Sequence, residues 1–199
     1  MDVLNRDCFD FAGNRQKAQK WFDEARGFSV DKSGMGVFNG GIVNPQREHL
    51  RVGYRYYRMV SAATDHSRKI GGVWWIEHET LVNIFQRFKA TGANTRMAVS
   101  ARSAPSSTVF REWLALTFEW NLIEEILYCD LAARIDAYTG AGRIAAGRHV
   151  MDTRGYGYAP HLSNLFTIKQ LCIPELWVHQ PKAFPNIRIV PYAQLESLL

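Results

Sequence analysis

Between Gly53 and Thr80 the chain reads GYRYYRMVSAATDHSRKIGGVWWIEHET, and this run limits what the remaining residues can build. Leu50 to Ser61 has the composition of a strand. Alternation sends Val52, Tyr54, Tyr56, Arg58 and Val60 to one face, and Arg51, Gly53, Arg55, Tyr57 and Met59 to a more polar one. Arg58 therefore shares a face with residues expected to be buried. A guanidinium cannot shed its charge and is costly to bury unless an anion or acceptor meets it. Arg58 is then either an anion clamp inside a cleft or the partner of a carboxylate at the core edge. Gly71 and Gly72 let the backbone approach a bound group, and Trp74 and Trp75 offer flat faces to a ring. The combination suits a pocket for a phosphate-bearing aromatic molecule, although one of the two tryptophans could equally belong to the core.

Directly after this run, Leu81, Ile84, Phe85 and Phe88 recur at helical spacing, and Gly92 lies beyond them. A helix is predicted over 79–89. Glu77 and Glu79 fall near its start, where the helix dipole favours negative charge. Glu77 has a second reading, as a hydrogen-bond partner for a ribose hydroxyl beside the Trp pair. A strand leading into a helix in this way calls for an α+β fold.

At 199 residues the chain suits one well-buried core better than two small ones. We expect a single domain, with residues 1–48 as a helix-and-loop lead-in and 49–199 as the ligand-binding core. Hydrophobic content of 47% and charged content of 22% are those of a globular protein. No apolar run approaches the roughly 20 residues of a membrane span, and the N-terminus lacks the apolar region of a signal peptide. These features predict a cytoplasmic protein, or one secreted without a cleavable signal, with no membrane partner. Cys8, Cys129 and Cys172 have no paired spacing and read as small buried residues. The net charge of +5 suits an anionic ligand without naming it.

Along the chain, Ala18, Trp21, Phe22 and Ala25 form the apolar stripe of a helix over 13–26 with Asn14 as its cap. The glycine-rich run 28–44 reads as a loop or two short strands with a turn at Asn39-Gly40. Met97 to Ala101 is strand-like, and a helix capped by Ser106 or Ser107 is expected over about 108–121. The run 122–138 fits either a helix or a buried strand, with a strand favoured in its middle. Gly140 to Pro160 is a long glycine- and arginine-rich loop carrying Tyr156 and Tyr158, of the kind that covers a site. Strands are expected over 165–173 and 187–190, and a closing helix over 193–199.

Several chemistries find no support. There is no GxGxxG after a strand and no GxxxxGK[ST], the histidines and cysteines never fall at metal-ligand spacing, and no serine sits in a GxSxG elbow. What remains is an order of features. The Tyr57-Arg58 strand comes first, then the Gly-Gly-aromatic segment, the glycine- and tyrosine-rich loop, and finally Ile168 to Glu175.

In this order the chain resembles the ADP-ribosyltransferase and NAD glycohydrolase toxin superfamily. The resemblance covers about thirty residues in separate pieces, and each motif is short. It implies an ADP-ribosyltransferase-like fold with a mixed or antiparallel sheet and flanking helices. It also implies NAD as substrate, no metal, and the setting of a toxin or secreted effector. Such a protein would meet a protein or nucleic-acid acceptor and an immunity or antitoxin partner. By this resemblance Arg58, with Tyr57, meets the NAD phosphates; Gly72, Trp74 and Trp75 complete the dinucleotide site; and Gln170 or Glu175 supplies the catalytic group. Two departures stand out. The family's Ser-Thr-Ser strand end has no clean copy, Ser100 and Ser103 being nearest, and Gln170 stands where transferases place a glutamate. Gln170 also has a plain structural reading, as a group that satisfies backbone at a strand end.

A reading from another class uses the same residues. The arginines and aromatics would suit a non-enzymatic module that binds single-stranded nucleic acid or a partner protein.

Overall fold

Seven strands pair edge to edge into one antiparallel sheet in the computed structural model, which describes residues 2–90, 110, 114, 116, 121–143, 145–146, 161–162 and 168–199. In chain order the strands are β1 (Phe28–Val30), β2 (Gly36–Phe38), β3 (Gln46–His49), β4 (Arg55–Val60), β5 (Trp74–Glu77), β6 (Glu125–Asp130), β7 (Asp136–Ala141), β8 (Ala145–Ala146), β9 (His161–Leu162), β10 (Lys169–Cys172) and β11 (Arg188–Pro191). The large sheet runs β11-β6-β4-β5-β10-β7-β3, while β1-β2 and β8-β9 form separate two-stranded pairs. The helices are α1 (Arg15–Ala25), α2 (His66–Gly71), α3 (His78–Ala90) and α4 (Leu176–Ala183), with 3-10 turns at Arg6–Phe9 and Tyr192–Leu198. The fold class is α+β, as the sequence predicts, and every recorded strand pairing is antiparallel.

Register explains how the sheet is covered. Residues directly opposite one another share a face, so Tyr56, Trp75 and Leu171 point one way with Leu127 and Cys129. They pack beneath Leu176, Ala183 and Phe184 of the α4 region. Trp75 stacks on Phe184 with ring centroids 4.8 Å apart, and burying a large side chain of this kind contributes about 1.5–3 kcal/mol. The opposite face carries two clusters. Tyr57, Met59, Ile76 and Ile126 pack under Leu81, Ile84 and Phe85 of α3. Trp74, Cys172 and Tyr138 pack under Trp21 and Ala25 of α1 with Cys8 and Phe9.

Cover on both faces corrects the expectation for the 50–61 run. The strand is shorter, Arg55–Val60, and its supposedly polar face buries Tyr57 and Met59. The run 122–138 resolves into β6 and the start of β7. Helices α2 and α4 were not expected, and Glu175 sits just before α4 with φ of 53°. The hairpin turn also lies elsewhere. Asp31 closes it by accepting from the Ser33 and Met35 amides at 2.8 and 3.0 Å. Gly40 and Gly41 instead form the base of the β1-β2 hairpin, with φ of 66° and 77°. A Cβ on Gly41 would lie 2.3 Å from the Arg26 carbonyl carbon, so only glycine permits this crossing of backbones. The expected strand 97–101 and the serine motif at 100–107 lie outside the described residues. So do most of the helix expected over 108–121 and most of the loop with Tyr156 and Tyr158.

All three cysteines are free and buried. Among the described residues no helix is long and apolar enough to cross a membrane.

Candidate functional site

A cavity of about 520 Å³ opens between the two clusters on the α1 and α3 side of the sheet. Its floor comes from β4, β5 and β10 through Tyr57, Arg58, Met59, Trp74, Ile76 and Gln170. One wall comes from the end of α1 and the hairpin base, through Glu24, Gly27, Phe28 and Asn39. Leu114, Leu116 and Asn121 contribute the other wall.

Of the described residues that line the cavity, Arg58 alone is cationic. Recorded pairing between β4 and β5 covers Tyr56 with Glu77 and Tyr57 with Ile76. At the next position the guanidinium reaches across, and Nη1 donates to the Trp74 carbonyl at 3.1 Å. Nε is buried without a partner. No carboxylate meets the guanidinium among the described residues, and burial pushes its pKa down to about 10. It remains a cation at neutral pH. Gly72 is what lets it lie there, since a Cβ at that position would sit 2.0 Å from Arg58 Cζ.

The other buried charges are handled differently. Lys69 donates to Glu125 at 2.6 Å and to the Ala62 carbonyl at 2.8 Å. Asp136 meets Arg47 and His49, each at 2.5 Å. Lys169 bridges Glu48 at 2.8 Å and Glu77 at 3.1 Å. Glu77 is thus held by a lysine of the neighbouring strand. Glu79 lies in the first turn of α3, where the dipole accounts for it.

No family model, curated protein or solved structure matches the chain.

The structure brings Arg58, Tyr57, Trp74, Trp75 and Gln170 to one cavity, with Gly72 beneath the arginine. Their contributions differ. Trp74 is half-buried, and its carbonyl anchors Arg58. The Trp75 indole belongs to the core, with Nε1 donating to the Gly72 carbonyl at 2.7 Å. This bond fixes the peptide against which Arg58 rests. Tyr57 is fully buried, and its hydroxyl lies 3.0 Å from His78 Nδ1. Gln170 is buried and donates to the Leu114 carbonyl at 2.9 Å, tying β10 to the far wall.

Glu175 is not brought to the cavity. It pairs with the Lys17 ammonium at 2.7 Å, and Lys17 also meets Asp7 at 2.5 Å. Asp7, Cys8 and Glu175 form a set of potential metal ligands, but Lys17 occupies the position a cation would take. Glu24, Asn39 and Asn121 line the cavity without having been singled out in the sequence. Their signal is faint there, because helix periodicity assigns Glu24 to the solvent side and the two asparagines read as turn residues.

Proposed function

We propose that the chain is an NAD-consuming enzyme, a mono-ADP-ribosyltransferase or NAD glycohydrolase of ADP-ribosyltransferase-like fold, acting as a toxin or effector through the cavity beside Arg58. The observation that carries this reading is a buried guanidinium that no carboxylate meets among the described residues, on a residue that lines a cavity together with Trp74 and Gln170. The three residues come from three different strands, β4, β5 and β10, the last of them far along the chain. The volume lies within the roughly 300–1,000 Å³ range of small-molecule sites.

The chemistry such a site performs depends mainly on placement. A pyrophosphate oxygen meeting Arg58 replaces water with a charge-assisted hydrogen bond in a low-dielectric setting, where it is strong. Trp74 and the apolar side chains of Met59, Ile76 and Leu114 restrict the rings. The Gln170 amide would orient the ribose from the floor. Holding NAD this way prepares the nicotinamide–ribose bond for cleavage, because the developing charge at C1′ finds oriented dipoles already in position.

An enclosed arginine favours a discrete ligand over a polymer, which would need an open track of cations and stacking rings. Salt distinguishes the two readings. Nucleic-acid binding weakens steeply with ionic strength, and turnover of a small molecule held in a cavity does not.

The test is incubation of the purified chain with NAD, with and without a host extract as a source of acceptors, while free nicotinamide is measured. Release by the wild type and its loss in Arg58→Ala support the reading. No release under either condition, or full release by Arg58→Ala, overturns it.

A further inference from the structure

Helix α1 ends in two carboxylates, and stability explains only one of them. Asp23 pairs with Arg26 at 2.6 Å and accepts from Gln19 at 3.0 Å. Glu24 is exposed, and among the described residues no cation or hydrogen-bond donor engages its carboxylate. It stands in the last turn of the helix, which carries no basic residue. A negative charge there opposes the helix dipole. Glu24 is therefore mildly unfavourable where it stands.

Its place in the fold offers a different account. Gly27 stops α1 and the chain turns into β1, so the last turn of the helix becomes the lip of the cavity. Of the described residues lining that cavity, Glu24 alone carries a carboxylate. The negative charge of Glu24 reaches the buried Cys172 thiol, which burial chiefly, and then this charge, push upward. Cys172 lies directly opposite Trp74 in the sheet. Glu24 thus overlooks the Trp74 part of the floor, and Arg58 is anchored to the Trp74 carbonyl.

We propose that Glu24 is the catalytic carboxylate of this cavity, in place of the late-strand glutamate that the chain lacks at Gln170. The proposal rests on the NAD reading above. In the step we assign to it, the bond between ribose C1′ and the nicotinamide nitrogen breaks and its electron pair leaves with nicotinamide, which becomes neutral. The Glu24 carboxylate faces the positive charge that develops at C1′. A water molecule adds its oxygen to C1′, and the proton it loses passes to Glu24 and then to solvent. The products are nicotinamide and ADP-ribose.

Three proteins decide it: the full wild-type chain, Glu24→Gln and Glu24→Ala, each assayed for nicotinamide release and for thermal unfolding. Glu24→Gln is expected to lower kcat by about 10²-fold to 10³-fold with little change in KM. Its Tm should stay level or rise by about 1–3 °C, because the charge it removes opposes the helix dipole. Loss of activity with retained stability separates chemistry from misfolding. Added formate, a small carboxylate that fits the vacated space, should restore part of the activity of Glu24→Ala and none of that of Arg58→Ala. If the wild type releases nicotinamide and Glu24→Gln does so at the same rate, the role of Glu24 is overturned while the NAD reading stands. If the wild type releases none, both fall together.

Discussion

Arg58 and Lys69 are two buried cations close together in the chain, and the fold treats them in opposite ways. Lys69 has a carboxylate and a carbonyl on its ammonium, so its charge is neutralised where it lies. Arg58 has five N–H donors and, among the described residues, a single carbonyl acceptor, with Nε buried and unpaired. A buried cation that serves the fold normally has its counter-ion beside it, because an unpaired charge away from water costs several kcal/mol. The contrast teaches that burial alone does not say whether a charge is available to a ligand. What separates the two cations is the carboxylate that Lys69 has and that Arg58 lacks among the described residues.

The largest effect expected from this contrast is on turnover. Arg58→Met should reduce nicotinamide release by about 10²-fold to 10³-fold, the usual worth of one oriented cation or donor at a reacting centre. Folded Lys69→Met should retain the wild-type rate. Equal losses in the two proteins would erase the distinction.

Stability should move the other way. Lys69→Met strands Glu125 and is expected to lower the free energy of unfolding by about 1.5–3 kcal/mol. Arg58→Met removes a charge that no carboxylate neutralises among the described residues, and should leave stability level or raise it by about 1–3 kcal/mol. Urea unfolding at neutral pH measures both. A destabilised Arg58→Met protein would mean that the Trp74 carbonyl already satisfies the guanidinium.

A subtler change sharpens the comparison without touching either cation. Gly72→Ala places a methyl group where the Arg58 guanidinium lies. Displacement by about 1 Å should reduce NAD turnover by about 10²-fold or somewhat less, with Lys69 and its partner undisturbed. Unchanged turnover would show that the guanidinium works from another position.

The smallest effect concerns Lys169, a half-buried cation held between two carboxylates. Burial raises the pKa of Glu48, but the Lys169 ammonium and the Thr139 hydroxyl outweigh it and hold the carboxyl below its ordinary 4.5. A depressed carboxyl contributes stability that is fully present above pH 4.5 and is lost as pH falls through the folded-state value. Lys169→Met should flatten the acid end of the stability curve by about 0.5–1 kcal/mol, as read from unfolding midpoints below pH 5. An unaltered acid limb would assign that loss to other carboxylates.

Much of the frame is legible in the residues themselves. The stripe Ala18, Trp21, Ala25 and the spacing Leu81, Ile84, Phe85 are local periodicities, and both helices form where they predict. The strand at Tyr57-Arg58 and those at 169–172 and 188–191 are likewise read from composition. The unread parts depend on partners far along the chain. Tyr57 is buried because α3 and the C-terminal turn lie over it, which no alternation pattern reveals. Helix α4 was hidden because Pro181 falls inside it, a residue that ordinarily argues against a helix. In the site, Arg58 stood out because a guanidinium among buried residues needs an acceptor, and Gln170 through the order of motifs, although its bond to the Leu114 carbonyl also matches the plain reading of a residue that satisfies backbone. Glu24 did not stand out, because only the turn at Gly27 makes a helix surface into a cavity lip. Glu175 looked attractive beside Gln170, but the left-handed backbone at Glu175 carries it away from β10 to Lys17.

The glycine crossing at the hairpin base has a consequence for how such a protein diversifies. The β1-β2 arm is joined to the body through the contact of Arg26 and Gly27 with Gly40 and Gly41, and its rings are clasped by Arg26 and Arg143. Its tip, from Val30 to Met35, is exposed and carries none of the three buried clusters. The tip can therefore change in length and sequence without disturbing any of these clusters, whereas Gly27, Phe28 and Asn39 at its base are fixed as part of the cavity wall.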